Sequence, residues 1–229
     1  MIDSCFKANG SVEVFKVLRD KFKIGISILN CLYLLHAVCN KGANELVEEL
    51  VVRQGLDINK VDVLGQTPLT MAVVGGHMEV AAFLLRHPYM NKKTMCQNFT
   101  LGKSPKAVPV LECTLATLCH KGVRGPKMVN MEKMIKLLFE NGADATALDA
   151  EGDSMLENAA KTKRLYNGEI NHKLQVHARK VVQYLAEDIG LSVTDKVMLL
   201  AESDPDTLAV CREARRKPRR LESLARLVV

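Results

Sequence analysis

The chain has 229 residues, a net charge of +6, no tryptophan and only 4% aromatic residues, so its core has to be built from Leu, Val, Ala and Met. No run reaches the roughly 18 apolar residues of a membrane span, and MIDSCFKANG lacks a basic region followed by an apolar one, so neither a span nor a secretory leader is expected. Seven cysteines in irregular spacing, with Cys31, Cys39 and Cys119 inside apolar helical patterns, read as reduced, buried thiols of a cytoplasmic or nuclear protein.

In chain order, residues 11–22 form an amphipathic helix with Val14, Phe15, Val17 and Leu18 as its apolar side. LLHAVCNKGANELVEEL (34–50) reads as two short helices about a glycine turn. So does GQTPLTMAVVGGHMEVAAFLLRH (65–87). There the Thr67 hydroxyl can accept a free N–H, Pro68 suits the first turn, and Gly75-Gly76 ends the helix. A second helix follows with Val80, Phe83 and Leu84 at helical spacing. Neither helix is long enough to be stable alone in water. CTLATLCHKG (113–122), MEKMIKLLFENGADA (131–145), DAEGDSMLENAAK (149–161) and ARKVVQYLAEDIG (178–190) continue the series. Thr194 can cap a helix through Ala201, and Asp204 followed by Pro205 can start another.

These elements are copies of one another. Residues 34–50 lie 34 positions before residues 68–84, with Leu35 on Leu69, Gly42 on Gly76, Glu45 on Glu79 and Leu50 on Leu84. Residues 10–18 match 76–84 at about two periods. A fixed period of this size marks a repeat architecture, in which each unit buries its apolar side against its neighbours.

Asp62, Gly65, Thr67, Pro68, Leu69, Gly76, His77, Glu79, Leu84 and Leu85 resemble the ankyrin repeat. Asn141-Gly142-Ala143-Asp144 supplies the ending of a third unit, and Gly55-Leu56-Asp57-Ile58-Asn59 that of the first. The histidine of the family's helix start is kept at His36 and replaced by Thr70, while Leu34, Thr114 and Met155 stand in place of its proline. The resemblance covers roughly residues 3–202 and implies an all-α, ankyrin-repeat solenoid of stacked helix-turn-helix units with hairpin-like loops. About four full units plus capping helices are expected. On this reading residues 1–30 are an N-terminal capping half-repeat, and 31–202 are repeats with insertions at 92–110, 123–129 and 162–176. Residues 203–229 are a capping helix and a basic tail. His36 and His77 are then structural, tying neighbouring loops or turns together by hydrogen bonds.

Chemistry-bearing patterns are sparse. The phosphate-cradling G-x-x-x-x-G-K-[ST], H-E-x-x-H and G-x-S-x-G are all absent. Cys113, Cys119 and His120 lack the paired spacing of a metal site, so packing thiols beside an exposed histidine are expected. Cys96 sits near Lys92 and Lys93, which would favour its thiolate. Asn98-Phe-Thr matches a glycosylation acceptor that has no meaning without a leader. His172 and His177 have no carboxylate at catalytic spacing. No metal and no cofactor is expected, and no enzymatic activity.

Between Arg212 and Arg226 seven basic residues face two acids, which leaves the rest of the chain at only +1. Arg215, Arg216, Lys217, Arg219 and Arg220 could contact an import receptor or an acidic partner. With no aromatic side chains nearby to stack on bases, nucleic acid is not the expected ligand. PRRLESLARLVV also resembles, over 12 residues, the opening of the box by which some ankyrin proteins join ubiquitin-ligase complexes.

The resemblance implies a monomeric scaffold or adaptor that binds another protein through a concave loop and first-helix surface. A substrate-receptor or effector adaptor, whose C-terminal segment recruits a second partner, is the alternative. The variable surface positions carried over are Val63, Leu64, Gln66 and Val74 in the second unit. In the third they are Glu112, His120 and Lys121, and in the fourth Ala150, Glu151, Asp153 and Lys161. Val63-Leu64, apolar at a loop tip, is the expected anchor.

Overall fold

The helices begin where local chemistry lets them. In the computed structural model, which describes residues 12–22, 33–91, 99–100, 107–108, 126–144, 148, 152–161 and 172–216, Thr67 caps helix α4 (Pro68–Gly75) by accepting the Thr70 N–H at 3.2 Å. Thr194 caps α9 (Asp195–Ala201) by accepting the Val197 N–H at 3.3 Å. At α10 (Pro205–Arg216), Asp204 precedes the helix and its carboxylate accepts the Thr207 hydroxyl at 2.5 Å. All three starts were legible as capping residues.

The chain forms two units, residues 1–105 and 106–229. The first opens with α1 (Val12–Phe22), where Val12 and Phe15 are buried. Val17, expected on the apolar side, is 64% exposed, because two positions along a helix turn it about 200° away from Phe15. Then come α2 (Leu34–Lys41) and α3 (Asn44–Glu48), a wide turn over Glu49–Arg53, α4, and α5 (Met78–Arg86). The first helices α2 and α4 pack on each other, and each packs on its own second helix, α3 or α5. Between them they bury Leu34, Leu35, Val38, Leu46, Val47, Leu50, Leu69, Ala72, Val73, Val80, Leu84 and Leu85. Gly42 and Gly76 close α2 and α4 at φ 72° and 74°, a conformation that needs glycine. Their units are the stacked helical hairpins that the repeat implied.

In the second unit α6 (Pro126–Glu140), α7 (Met155–Lys161), α8 (His172–Gln183), α9 and α10 follow. Helix α7 packs on α8 and α9, α8 on α6 and α10, and α9 on α10. Met134, Ile135, Leu138, Met155, Leu156, Val181, Val182, Leu185, Val197 and Cys211 fill the core. Helices α6 and α8 start five and six residues earlier than the sequence suggested, at Pro126 and His172, so part of each expected insertion is helix. The expected helix at 113–122 lies outside the described residues. Two-residue strands, β1 (Phe99–Thr100) and β2 (Ala107–Val108), lie on either side of the boundary between the units.

Two second helices end alike. After α3, Gln54 N–H donates to the Glu49 carbonyl and Leu56 N–H to the Leu50 carbonyl, both at 3.0 Å. After α8, in the turn Tyr184–Asp188, Ile189 and Leu191 repeat this to Tyr184 and Leu185, again at 3.0 Å. These i→i+5 turns each precede a left-handed glycine, Gly55 or Gly190. Helix α6 ends one residue sooner, with Ala143 N–H on the Leu138 carbonyl. Three residues separate Leu138 from Gly142, whereas four separate Leu50 from Gly55 and Leu185 from Gly190. The widened turn absorbs the extra residue.

Candidate protein-binding surface

The loop leading into α4 is built by one aspartate. The Asp62 carboxylate accepts the backbone N–H groups of Leu64 and Gln66, each at 2.8 Å, and its own N–H donates to the Gln66 carbonyl at 2.9 Å. Gly65 supplies the left-handed residue at φ 77°. The result is a tight projection whose tip, Val63, is 88% exposed, with Leu64 and Val61 also exposed.

His36 fastens this loop from the preceding unit. Its Nε2 lies 2.9 Å from the Lys60 carbonyl and 3.1 Å from the Gln66 carbonyl, so Nε2 carries the proton and shares it between two acceptors. Burial holds the imidazole pKa below its ordinary value, against the opposing pull of those two carbonyls. Nδ1 is buried without a hydrogen-bond partner. At the other end of the helix pair, His77 Nε2 bonds the Asn40 carbonyl at 3.0 Å. Its ring fills a slot between Gly42 and Gly75, where a Cβ would come within 2.2 Å and 2.5 Å of ring atoms. Both histidines therefore tie neighbouring units together, as expected.

Gln66 requires correction. It is only 6% exposed, because the turn closed by Asp62 folds it back beneath the loop, where its carbonyl meets His36. It cannot serve as an exposed contact. Val74 is half-buried on α4.

The sequence leading into α7 matches this loop 87 positions later, with Leu148 on Val61, Gly152 on Gly65 and Ser154 on Thr67. Leu148 is exposed and pairs through an antiparallel bridge with Ser154. Here the cap is reciprocal: Ser154 Oγ accepts the Glu157 N–H at 3.3 Å, and the Glu157 carboxylate accepts the Ser154 N–H at 2.7 Å. Asp153 and Lys161 are brought together at 2.6 Å, and Lys196 of α9 joins them, 2.7 Å from Asp153 and 3.1 Å from Glu157. Bonds from Lys161 and then Lys196 hold the Asp153 carboxyl below the usual range. Burial opposes ionisation of Glu157, but the Ser154 N–H and Lys196 outweigh it, so its pKa is also lowered. Lys196 is raised in turn by its two carboxylates.

Glu112, His120, Lys121, Ala150 and Glu151 lie outside the described residues, as do Lys217, Arg219 and Arg220. Arg215 and Arg216 are exposed at the end of α10, where Arg215 pairs with Asp195 at 2.8 Å. Cys39 and Cys211 are buried free thiols whose pKa burial pushes up, while Cys31 and Cys119 fall outside the described residues. Among the described residues there is no cluster of side chains able to hold a metal ion, and no helix is long and apolar enough to cross a membrane. The Ser154-x-x-Glu157 box was readable as a Ser-x-x-Glu pattern before an apolar run. Matching units would also have found Leu148. Lys196 leaves no local signal, since its partners are 39 and 43 residues away.

The family model described as ankyrin repeats (3 copies) matches residues 34–105. Comparison with curated proteins gave no match. Among solved structures, the Bd0816 predatory endopeptidase from Bdellovibrio bacteriovorus in complex with immunity protein Bd3460 is similar over 84% of this chain and 91% of that chain. The identity is 19% and the TM-score 0.47.

Proposed function

From ankyrin repeats at residues 34–105, we propose that the protein is a non-enzymatic scaffold or adaptor that grips a partner protein by its loop tips and first-helix surface. One observation carries this reading: Val63, 88% exposed, sits on a loop braced by Asp62 beneath and His36 behind. An apolar anchor on a preformed loop loses little freedom on binding, so more of its burial appears as affinity. Exposed Leu64, Val61 and half-buried Val74 extend the surface in the same unit, and Leu148 begins the matching one in the other.

Affinity capture with the wild type and with Val63→Asp/Leu64→Asp tests the assignment. The double variant should lose the captured partner while melting within a few degrees of the wild type, since exposed side chains away from special features change stability by about 0.5 kcal/mol or less. A partner retained at full strength refutes it.

The adaptor reading rests on the exposed Arg216 at the end of α10 and on the basic run beyond it. Replacing Arg215, Arg216, Lys217, Arg219 and Arg220 by serine should release a second partner that the loop variant keeps. If every partner survives the serine substitutions, the simple scaffold stands alone.

A further inference from the structure

One imidazole holds both ends of the loop that carries Val63. Nε2 of His36 meets the Lys60 carbonyl at 2.9 Å on one side of the tip and the Gln66 carbonyl at 3.1 Å on the other. Between Ile58 and Gln66, themselves buried, every residue is half-buried or exposed, so the loop has little apolar contact to keep it in place. Asp62 knits the turn from within, through the Leu64 and Gln66 N–H groups. Those bonds shape the tip but do not fasten it to the preceding unit.

The same imidazole has no place for a second proton. Nε2 carries the shared one, which leaves Nδ1 as the basic nitrogen, buried without a hydrogen-bond partner. The gap bounded by Tyr33, Leu34, Leu35, Leu56, Asp57, Lys60 and the imidazole has no room for a water molecule. His36 is the third residue of α2, a helix whose start lacks a side-chain cap, and free N–H groups there disfavour a cation. Among the charged neighbours, Asp62 favours the protonated ring and Lys60 opposes it. Asp57 is exposed and accepts the Asn59 N–H at 2.8 Å, and Tyr33 meets the imidazole edge-on at 5.3 Å. Helix α4, which packs on α2, carries no titratable side chain, and Glu45 and Glu48 of α3 are exposed. Burial prevails over the groups that favour the cation.

We propose that His36 is a proton-operated latch: protonating its imidazole in mildly acid solution frees the Lys60–Gln66 loop from α2 while the helices stay stacked. A proton on Nδ1 has to be carried to water, and the side chain reaches water by leaving both carbonyls. The leucines and valines that join α2 to α4 take no part in this exchange. The loop then loses the bracing that preorganised its apolar tip, so the latch would also govern partner binding. That consequence rests on the loop-tip reading; the latch itself does not.

Nuclear magnetic resonance on the full chain, from neutral to mildly acid pH, tests it without any partner. At neutral pH the His36 ring should show the tautomer with its proton on Nε2. As the ring titrates, below about pH 6.5, the heteronuclear Overhauser effects of the Val61, Val63 and Leu64 amides should fall with the same midpoint. Those of α4 and α5 should hold. In His36→Gln, whose amide can donate but gains no charge in this range, the loop values should stay level. The wild-type midpoints decide the matter even where that variant folds poorly. A ring that titrates while the loop stays ordered would overturn the latch, and so would unfolding of the whole chain before the loop loosens. Loosening that persists in His36→Gln would give the switch to Asp62 and equally overturn it. A captured partner should leave the wild type at the acid end about tenfold or more readily than it leaves His36→Gln. If the loop loosens on cue and the partner stays, the latch stands and Val63 is not the anchor.

Discussion

His36 and His77 each span two units, one reaching forward to the carbonyls of Lys60 and Gln66, the other back to Asn40. Because the folded protein holds His36 neutral by burial, the unfolded chain takes up a proton more readily. The stability this imidazole contributes is therefore complete above about pH 6.5, and falls away as the pH drops toward the lowered folded value. In His36→Gln the fall in urea midpoint between neutral and mildly acid solution should be shallower than in the wild type; an equal slope would place the protonation elsewhere. Gly75 gives a second measure of the same joint. Alanine there would ordinarily favour a helix by about 1 kcal/mol. Its Cβ would, however, approach the His77 ring at 2.5 Å and the Asn40 carbonyl at 2.7 Å. Overpacking of this kind costs about 1–3 kcal/mol, so Gly75→Ala should lower the urea midpoint. His77→Ala in the same chain should recover only part, since the backbone contact remains.

At the scale of elements, what could be read in advance was what is local. Thr67-Pro68, Thr194 and Asp204-Pro205 act within one turn, so their types alone mark helix starts. The tie between α7 and α9 is not local: Lys196 meets Asp153 and Glu157 only once the chain has folded. Both carboxyl pKa values are lowered and that of Lys196 is raised. The network's contribution should thus be present above about pH 4, where the unfolded carboxyls are ionised, and vanish as acid protonates them in the fold. The gap in melting temperature between wild type and Lys196→Met should stay level from neutral to mildly alkaline pH and close in acid. A gap that persists at pH 3 would mean that Lys196 stabilises the fold by some route other than these two carboxylates.

Over the whole molecule, the repeat was legible because burial imposes it: Leu35 and Leu69, or Leu50 and Leu84, face the same neighbours in successive units and must be alike. The exposed loop positions are under no such constraint, so their chemistry had to be inferred from the family pattern. Val63 and Leu64 proved exposed while Gln66 did not, because a turn five residues long turns some of its side chains inward.

The widened turns after α3 and α8 leave slack at the point where one unit hands over to the next. Removing Glu187 would bring Leu185 and Gly190 to the separation seen between Leu138 and Gly142, a spacing this chain already tolerates. The shortened protein should fold, with its far-ultraviolet circular dichroism unchanged and its melting point a few degrees away at most. Were it to collapse, the wide turn would be a requirement of that unit and not a buffer. If it holds, single-residue gains and losses at these hand-over points are forgiven, and units can drift in length without their buried faces falling out of step.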